Sequence, residues 1–391
     1  MPRRSTAVPF VPAVALTLAA VIVLCAAAQA RDVRVRRPHG FPNVPGFLTL
    51  QCDFHTHTVF SDGQVWPDTR SEEAWREGYD AIAITDHIEY KPHREDLSTN
   101  HERPWEIAAP HGEKLGLIVV RGSEITRKMP PGHLNAIFLT SVCPLETPDW
   151  RDALRAARTQ GAFVFWNHPG WRGHQKDGVA RWYPEHTEIL EAGLLDGIEV
   201  VNDREYYPEA HRWAIEKGLT ILANSDVHDP VHLAWDLASG DHRPVTVVLA
   251  KEKSEAGIRE ALFARRTVAW SGERLVGREE HLRPLVEASV EVENPRLAIA
   301  AGDVGYVRIR NASDLRLSMF GPGSVDDIPL ARSLVIAPNG TSLLEIRVPK
   351  KAAAGPRRLR FDWTITNVLV APDEGLPFPI VVELEILPAA P

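Results

Sequence analysis

Cysteine is scarce in this chain. Only three occur in 391 residues, and only Cys52 and Cys143 lie beyond the first thirty. No two have CxxC spacing, so a cysteine-type zinc site is excluded. The two remaining thiols are equally compatible with a bridge and with free buried groups, since both follow apolar, strand-like runs. Basic excess is also missing. Lys and Arg number 44 against 52 Asp and Glu, for a net charge of -8, which argues against nucleic-acid binding through a basic face. No internal apolar run is long enough to span a membrane. No glycine-rich phosphate loop follows a strand-like run, so a nucleotide cofactor has no support.

The first thirty residues stand apart. Arg3-Arg4 precedes a stretch from Ala13 to Ala28 that is nearly all Ala, Val, Leu and Ile, and it ends Ala28-Gln29-Ala30. A basic start, a short apolar middle and a small-x-small end describe a secretory signal. Residues 1–30 are therefore expected to be a signal peptide and 31–46 a linker, with the mature protein periplasmic or secreted. The apolar run is short for an anchor, and Leu24 argues against lipidation at Cys25. The residues after Arg3-Arg4 fit a twin-arginine signal poorly.

From Gly46 to about Gly272, short apolar runs alternate with amphipathic segments. Strands are expected at Phe47–Leu50, Ala81–Thr85, Leu117–Val120, Leu134–Leu139, Ala162–Trp166, Gly197–Val201, Leu219–Ala223 and Val245–Ala250. Helical patterns fall between them, as at Ser71–Gly78, Pro208–Gly218 and Ser254–Arg266. That alternation predicts parallel β/α units, and this many strands predicts a barrel. Residues 88–115 and 170–192 are expected to be long connections acting as lids. Beyond Gly272 the pattern is all strand, beginning with Leu285–Glu293 and continuing through turns such as Pro338-Asn339-Gly340. The expected organisation is a barrel over 47–275 and an immunoglobulin-like β-sandwich over 282–391, the latter structural or docking in role.

The expected barrel strands end in metal-type donors. Side chains two apart on a strand share a face, so His55 and His57 point to one spot, with Asp62 in the next loop. Later come His87, Glu124, His133 and His168, and then Asp226 and His228, which repeat the two-residue spacing. In parallel β/α folds the site lies at the carboxyl ends of the strands. Six histidines and three carboxylates suit borderline transition metals better than magnesium or calcium. Nine donors exceed one ion and fit two or three, such as manganese, zinc or iron. Several close cations would activate water and clamp an anionic substrate, which points to phosphoester hydrolysis.

On these motifs, over roughly residues 48–270, the chain resembles the PHP family, named for polymerase and histidinol phosphatase. The resemblance implies a distorted seven-stranded β/α barrel with a trinuclear site and phosphoesterase activity, a bridging hydroxide attacking phosphorus. His55, His57 and Asp226 would hold a first metal, Glu124 would bridge it to a second held by His133 and His168, and Asp62, His87 and His228 would hold a third. Glu124, Asp226 and His228 would be the groups nearest the chemistry, and the partner a small phosphorylated substrate, monoester or diester. Asp53 and Asp86 are candidates to orient imidazoles, and Glu199 and Asn202 to line the pocket. Arg127, Arg172 and Arg204 are candidates for phosphate oxygens, as is Arg121. The rival readings are an amidohydrolase-like amide or lactone hydrolase and a metal-dependent binding protein without turnover. Amidohydrolase barrels commonly bridge their metals through a modified lysine, where this chain has Glu124.

Overall fold

The computed structural model describes residues 34–389; the expected signal peptide lies outside them. Strands β1 (Leu48–Asp53), β2 (Ala81–Ile84), β3 (Ile118–Ile125), β4 (Leu134–Ile137), β5 (Phe163–Trp166), β6 (Gly197–Asn202), β7 (Glu205–Tyr206), β8 (Thr220–Asn224), β9 (Val245–Ala250), β10 (Thr267–Ser271) and β11 (Arg274–Gly277) build the first part of the chain. Six of them are four to six residues long and buried along their whole length (β2, β4, β5, β6, β8 and β9), as expected where helices cover the outside of a sheet and side chains fill its inside.

Pairing runs β9-β1-β2-β3-β4-β5-β6, with β8 also on β6. The β1/β2, β2/β3, β5/β6 and β6/β8 pairs are parallel, but β4 is antiparallel to both β3 and β5. This corrects the expectation of uniformly parallel units. The segment 126–133 between β3 and β4 contains no helix, and a connection without a crossover returns the chain antiparallel. The ring closes at the carboxyl ends of β1 and β8, where the Asp226 N–H donates to the His55 carbonyl at 2.9 Å and the His57 N–H to the Val227 carbonyl at 3.1 Å.

The connection 88–115 is a loop only as far as residue 102. Arg103–Leu115 is a helix with Pro104 in its first turn and Gly116 (φ 71°) as its left-handed cap, a familiar proline-start, glycine-stop pattern. Gly112 sits close to the sheet, where a Cβ would meet the Val119 side chain at 2.4 Å. Pro184–Glu191, within the second connection, is helical too. Leu285–Glu293 is likewise not one strand. Glu279–Ser289 is a helix burying Leu282, Leu285, Val286 and Ser289, a three- and four-residue spacing that Pro284 conceals in the sequence. Strand β12 (Val290–Val292) follows it.

The rest is β13 (Arg296–Ala300), β14 (Val304–Asn311), β15 (Leu317–Phe320), β16 (Ser324–Val325), β17 (Ile328–Pro329), β18 (Ser333–Ile336), β19 (Gly340–Arg347), β20 (Gly355–Ala371) and β21 (Glu374–Leu387). A β12-β14-β19 sheet faces a second sheet built on β20 and β21. Alternate residues such as Val307, Ile309, Leu344, Ile346, Phe361 and Trp363 are buried, the pattern of a sandwich. This β domain is joined to the barrel through the sheet itself. Strand β20 pairs in parallel with β11, Leu275 opposite Val368 and Val276 opposite Leu369, and one hydrophobic cluster runs from Ile82 and Trp270 through Leu282 to Phe361 and Ile380. Removing residues 290–391 would strip that cluster of a large share of its side chains. The barrel-side residues left behind, Trp270, Leu275, Leu282, Leu285 and Val286, would lose apolar cover they now share with the β domain,. The shortened chain should lack a cooperative melt; a soluble barrel with a sharp transition would contradict this.

Cys52 is buried and Cys143 exposed, and both are free. Among the described residues no helix is long and apolar enough to cross a membrane.

Candidate metal centre

All nine sequence-predicted donors converge at one end of the barrel, in three groups whose donor atoms lie within 4.8 Å of one another. The innermost is His55, His57, Glu124 and Asp226; a second is Glu124, His133 and His168; the outer one is His57, Asp62, His87 and His228. Glu124 stands at the corner shared by the first two, and His57 reaches both the inner and the outer group. Exposure rises outward: the Glu124 side chain is fully buried, whereas those of Asp62 and His228 are 26% and 34% exposed.

Within the inner group, His55 Nε2 lies 3.1 Å from Glu124 Oε2 and 3.1 Å from Asp226 Oδ1, and His57 Nε2 lies 2.9 Å from Asp226 Oδ1. In the outer group, Asp62 Oδ1 is 3.3 Å from His87 Nε2 and 3.2 Å from His228 Nε2. Glu124 Oε1 closely approaches His133 Nδ1, and Glu124 Oε2 is 3.2 Å from His87 Nδ1.

The tautomers decide what these contacts mean. Glu199 is fully buried and accepts from His55 Nδ1 at 2.9 Å, so a neutral His55 presents a bare Nε2 lone pair to the centre. His228 Nδ1 donates to the Asp226 carbonyl at 2.7 Å and likewise leaves Nε2 bare. Lone pairs therefore face carboxylate oxygens, an arrangement that needs protons or cations between them. Asp62 Oδ1, Glu124 Oε1, His133 Nδ1 and His168 Nδ1 are buried without a hydrogen-bond partner, which is costly in the absence of a ligand. Imidazole and carboxylate donors at these separations suit divalent cations.

Protons compensate when no cation is present. Burial alone would raise the carboxyl groups, yet the facing imidazoles hold Asp62, Glu124 and Asp226 below their ordinary range, Glu124 and Asp226 well below it. Burial alone would lower the His228 imidazole, yet the Asp62 carboxylate 3.2 Å away and the Asp226 charge bring it up to about 9. At neutral pH the metal-free protein therefore holds a proton on His228 that a cation must displace. Loading should release about one proton for this ligand, and apparent affinity should fall as pH drops below about 9. Calorimetric titration in buffers of different ionisation enthalpy measures this, and proton-neutral loading at pH 7 would contradict it.

Backbone strain aims two of the donors. His168 (φ 28°) and Asp226 (φ 54°) lie in the left-handed region, uncommon for residues other than glycine and concentrated at functional sites. Glu199 holds His168 as well, accepting its backbone N–H at 2.7 Å. Asp62 is placed by Gly63, where a Cβ would come within 2.7 Å of the His57 carbonyl carbon and the Thr58 nitrogen. Gly63→Ala must therefore shift the Asp62 loop. Elemental analysis should find one ion fewer per chain; wild-type loading would contradict this placement.

Asp53 and Asp86 do not touch imidazoles. Asp86 accepts from the Thr58 backbone N–H and from the Thr58 and Ser61 hydroxyls, each at 2.7 Å, shaping the turn after His57. Asp53 accepts from the Ser225 backbone and pairs with buried Arg243 at 2.9 Å, tying β1 to the loop that carries Asp226. The carboxylate that orients an imidazole is Glu199, which also accepts from Asn202 and Asn224 at 2.9 Å.

Two buried arginines escaped sequence reasoning. Arg70 donates to the carbonyls of His57, His228 and Asp229 at 3.1–3.2 Å, gathering both ligand loops from below. Its signal was its place on the same helix face as Pro67, Ser71 and Ala74. Arg243 had no periodic signal, because it lies outside helix and strand.

The donors open into a cavity of about 610 Å³ walled by Tyr90, Trp171, Arg172, Tyr207 and Trp235. Of the three arginines expected to meet substrate, Arg172 lines it. Arg127 does not, being paired with Glu89 at 2.8 Å and donating to the Thr147 carbonyl. Arg204 does not either, its guanidinium being held by Asp241 at 2.7 Å. Arg121 lies over the Trp105 ring.

A crystal structure from Bacteroides vulgatus, described as a two-domain protein containing a predicted PHP-like metal-dependent phosphoesterase, is 42% identical in sequence. The match covers 90% of this chain and all of that one, with a TM-score of 0.83. The chain belongs to the PHP-like family. An uncharacterized protein of Methanocaldococcus jannaschii is 35% identical over 199 residues, 48% of this chain and 85% of that protein. No family model matches. The likeness to the Bacteroides protein spans the PHP-like barrel and the β domain together.

Proposed function

We propose that this PHP-like protein is a metal-dependent phosphoesterase that holds two to three divalent transition ions, manganese, zinc or iron, on His55, His57, Asp62, His87, Glu124, His133, His168, Asp226 and His228. The observation that carries the reading is the convergence of imidazole nitrogens and carboxylate oxygens around Glu124. Bound divalent ions supply Lewis acidity, polarising phosphoryl oxygens and making water a stronger acid.

The chain's own groups do the rest. Glu199 keeps the His55 proton on Nδ1. Glu124 and Asp226, both buried as charged groups, concentrate negative charge that only a cation cluster offsets. The more exposed Asp62 and His228 side is where an anionic substrate can enter. Arg172, on the cavity wall, is placed to meet a phosphoryl oxygen,.

Amide or lactone hydrolysis is not favoured, because the shared corner is a glutamate rather than a lysine. Export by residues 1–30 is part of the proposal and rests on the sequence pattern alone. The test is turnover of phosphomonoesters, phosphodiesters, amides and lactones by protein purified with each metal supplied. Phosphoester turnover is expected; turnover confined to amides or lactones would overturn the reading.

A further inference from the structure

A second cavity of about 610 Å³ lies beside the first and shares Asp203 and Trp235 with it. Its far wall belongs to the β domain, through Thr366, Asn367 and Asp373. Phosphate chemistry at the metal centre does not need this space, since a cavity of several hundred Å³ already holds a small ligand.

We propose that the second cavity is a subsite for the alcohol portion of the phosphoester, and that it takes a hydroxyl-rich, uncharged moiety of the sugar or polyol class. The inference rests on the phosphoesterase reading for where the phosphorus sits. The subsite itself stands on its own walls.

Those walls are preformed. Asn367 donates to the Glu273 and Arg316 carbonyls at 2.5 and 2.7 Å and accepts from the Ser318 N–H at 2.9 Å, which fixes the junction of β20 with β11. Arg204 is locked by Asp241 and the Ala234 carbonyl. A site whose polar groups are already oriented loses little on binding.

The wall chemistry selects the moiety. Four carboxylates, Asp203, Asp241, Glu273 and Asp373, stand against Arg204 and Arg274, with Arg316 paired to Glu273 at 3.1 Å. That excess disfavours a second anionic group. Carboxylate acceptors interleaved with guanidinium donors match hydroxyl groups, which donate and accept at once. Hydrogen bonds to charged partners are the stronger kind.

The test has two arms. The first is direct binding of free glucose to the metal-loaded full chain, followed by calorimetry and by the fluorescence of Trp235 relative to a Trp235→Phe control. Asp373 has φ 64°, so Asp373→Gly removes the carboxylate at a position glycine adopts without strain; Arg274→Ala removes a donor. Each should weaken glucose binding about tenfold, the worth of one charged hydrogen bond. The second arm is the ratio of kcat/KM for glucose phosphate over phenyl phosphate, which should fall by a similar factor in both variants. Absence of glucose binding in the wild type, or variants that leave both the affinity and the ratio unmoved, would overturn the subsite. Glucose binding that weakens in the variants, without hydrolysis of any phosphoester, would keep the subsite and overturn the phosphoesterase reading instead.

Discussion

Glu124→Ala should leave the protein folded but with about one ion per chain and almost no turnover. Glu124 is fully buried and belongs to two of the three donor groups, facing His55, His57 and His87 with one oxygen and His133 with the other. Its loss leaves the second group with two imidazoles and removes the shared carboxylate from the first. It also leaves the cations and imidazoles of the centre with only Asp226 and Asp62, of the donor carboxylates, to offset their charge,. The rate should fall by well over about 10³, more than the loss of one stabilising contact costs. Asp62→Ala makes the contrast. Asp62 serves only the outer group, so about two ions and a residual rate should remain, reduced by about 10²–10³. Equal loss of all ions in both variants would mean that the centre assembles as a unit.

Arg243→Met should cause the largest loss of stability at a single position outside the ligands. The guanidinium is fully buried between Asp53, at 2.9 Å, and Glu77, at 3.1 Å. Burial opposes its charge, but the Glu77, Tyr79 and Asp53 environment raises its pKa overall. Removing it leaves two buried carboxylates unpaired, a cost of about 3–5 kcal/mol. Burial already pushes the Glu77 carboxyl above its ordinary value, so in the variant Glu77 should take up a proton and stability should improve as pH falls toward 5. Chemical denaturation at pH 5 and pH 7.5 measures both effects. A loss below about 1 kcal/mol, or no pH dependence, would contradict the ion-pair account.

Why the ligands were legible and their supports were not is a matter of periodicity. His55 and His57, and again Asp226 and His228, are two residues apart next to apolar runs, so strand alternation alone aims each pair. Glu199 and Asn202 close a visible strand and were placed at the pocket for that reason. Arg243 lies in an irregular segment, and its partners Asp53 and Glu77 are 190 and 166 residues away in sequence; no local pattern encodes such a contact. The candidate phosphate arginines fail for a related reason. Arg127 and Arg204 lie near strand ends, but a guanidinium reaches far enough to choose another partner, and Glu89 and Asp241 claim them. In the fold, the barrel strands follow from alternating apolar runs. The reversal of β4 does not, because direction depends on what the connection contains. The helix Glu279–Ser289 was hidden by Pro284, and the joint between barrel and β domain by the non-local pairing of β11 with β20.

The most direct test of the central claim is the rate of phosphoester hydrolysis by the full chain loaded with manganese, measured before and after removal of the metal by a chelator and again after its return. The account predicts many turnovers per chain in the loaded protein, loss with the metal and recovery when it is restored. Turnover that survives complete removal of the metal, or a fully loaded centre that hydrolyses no phosphoester, would contradict it.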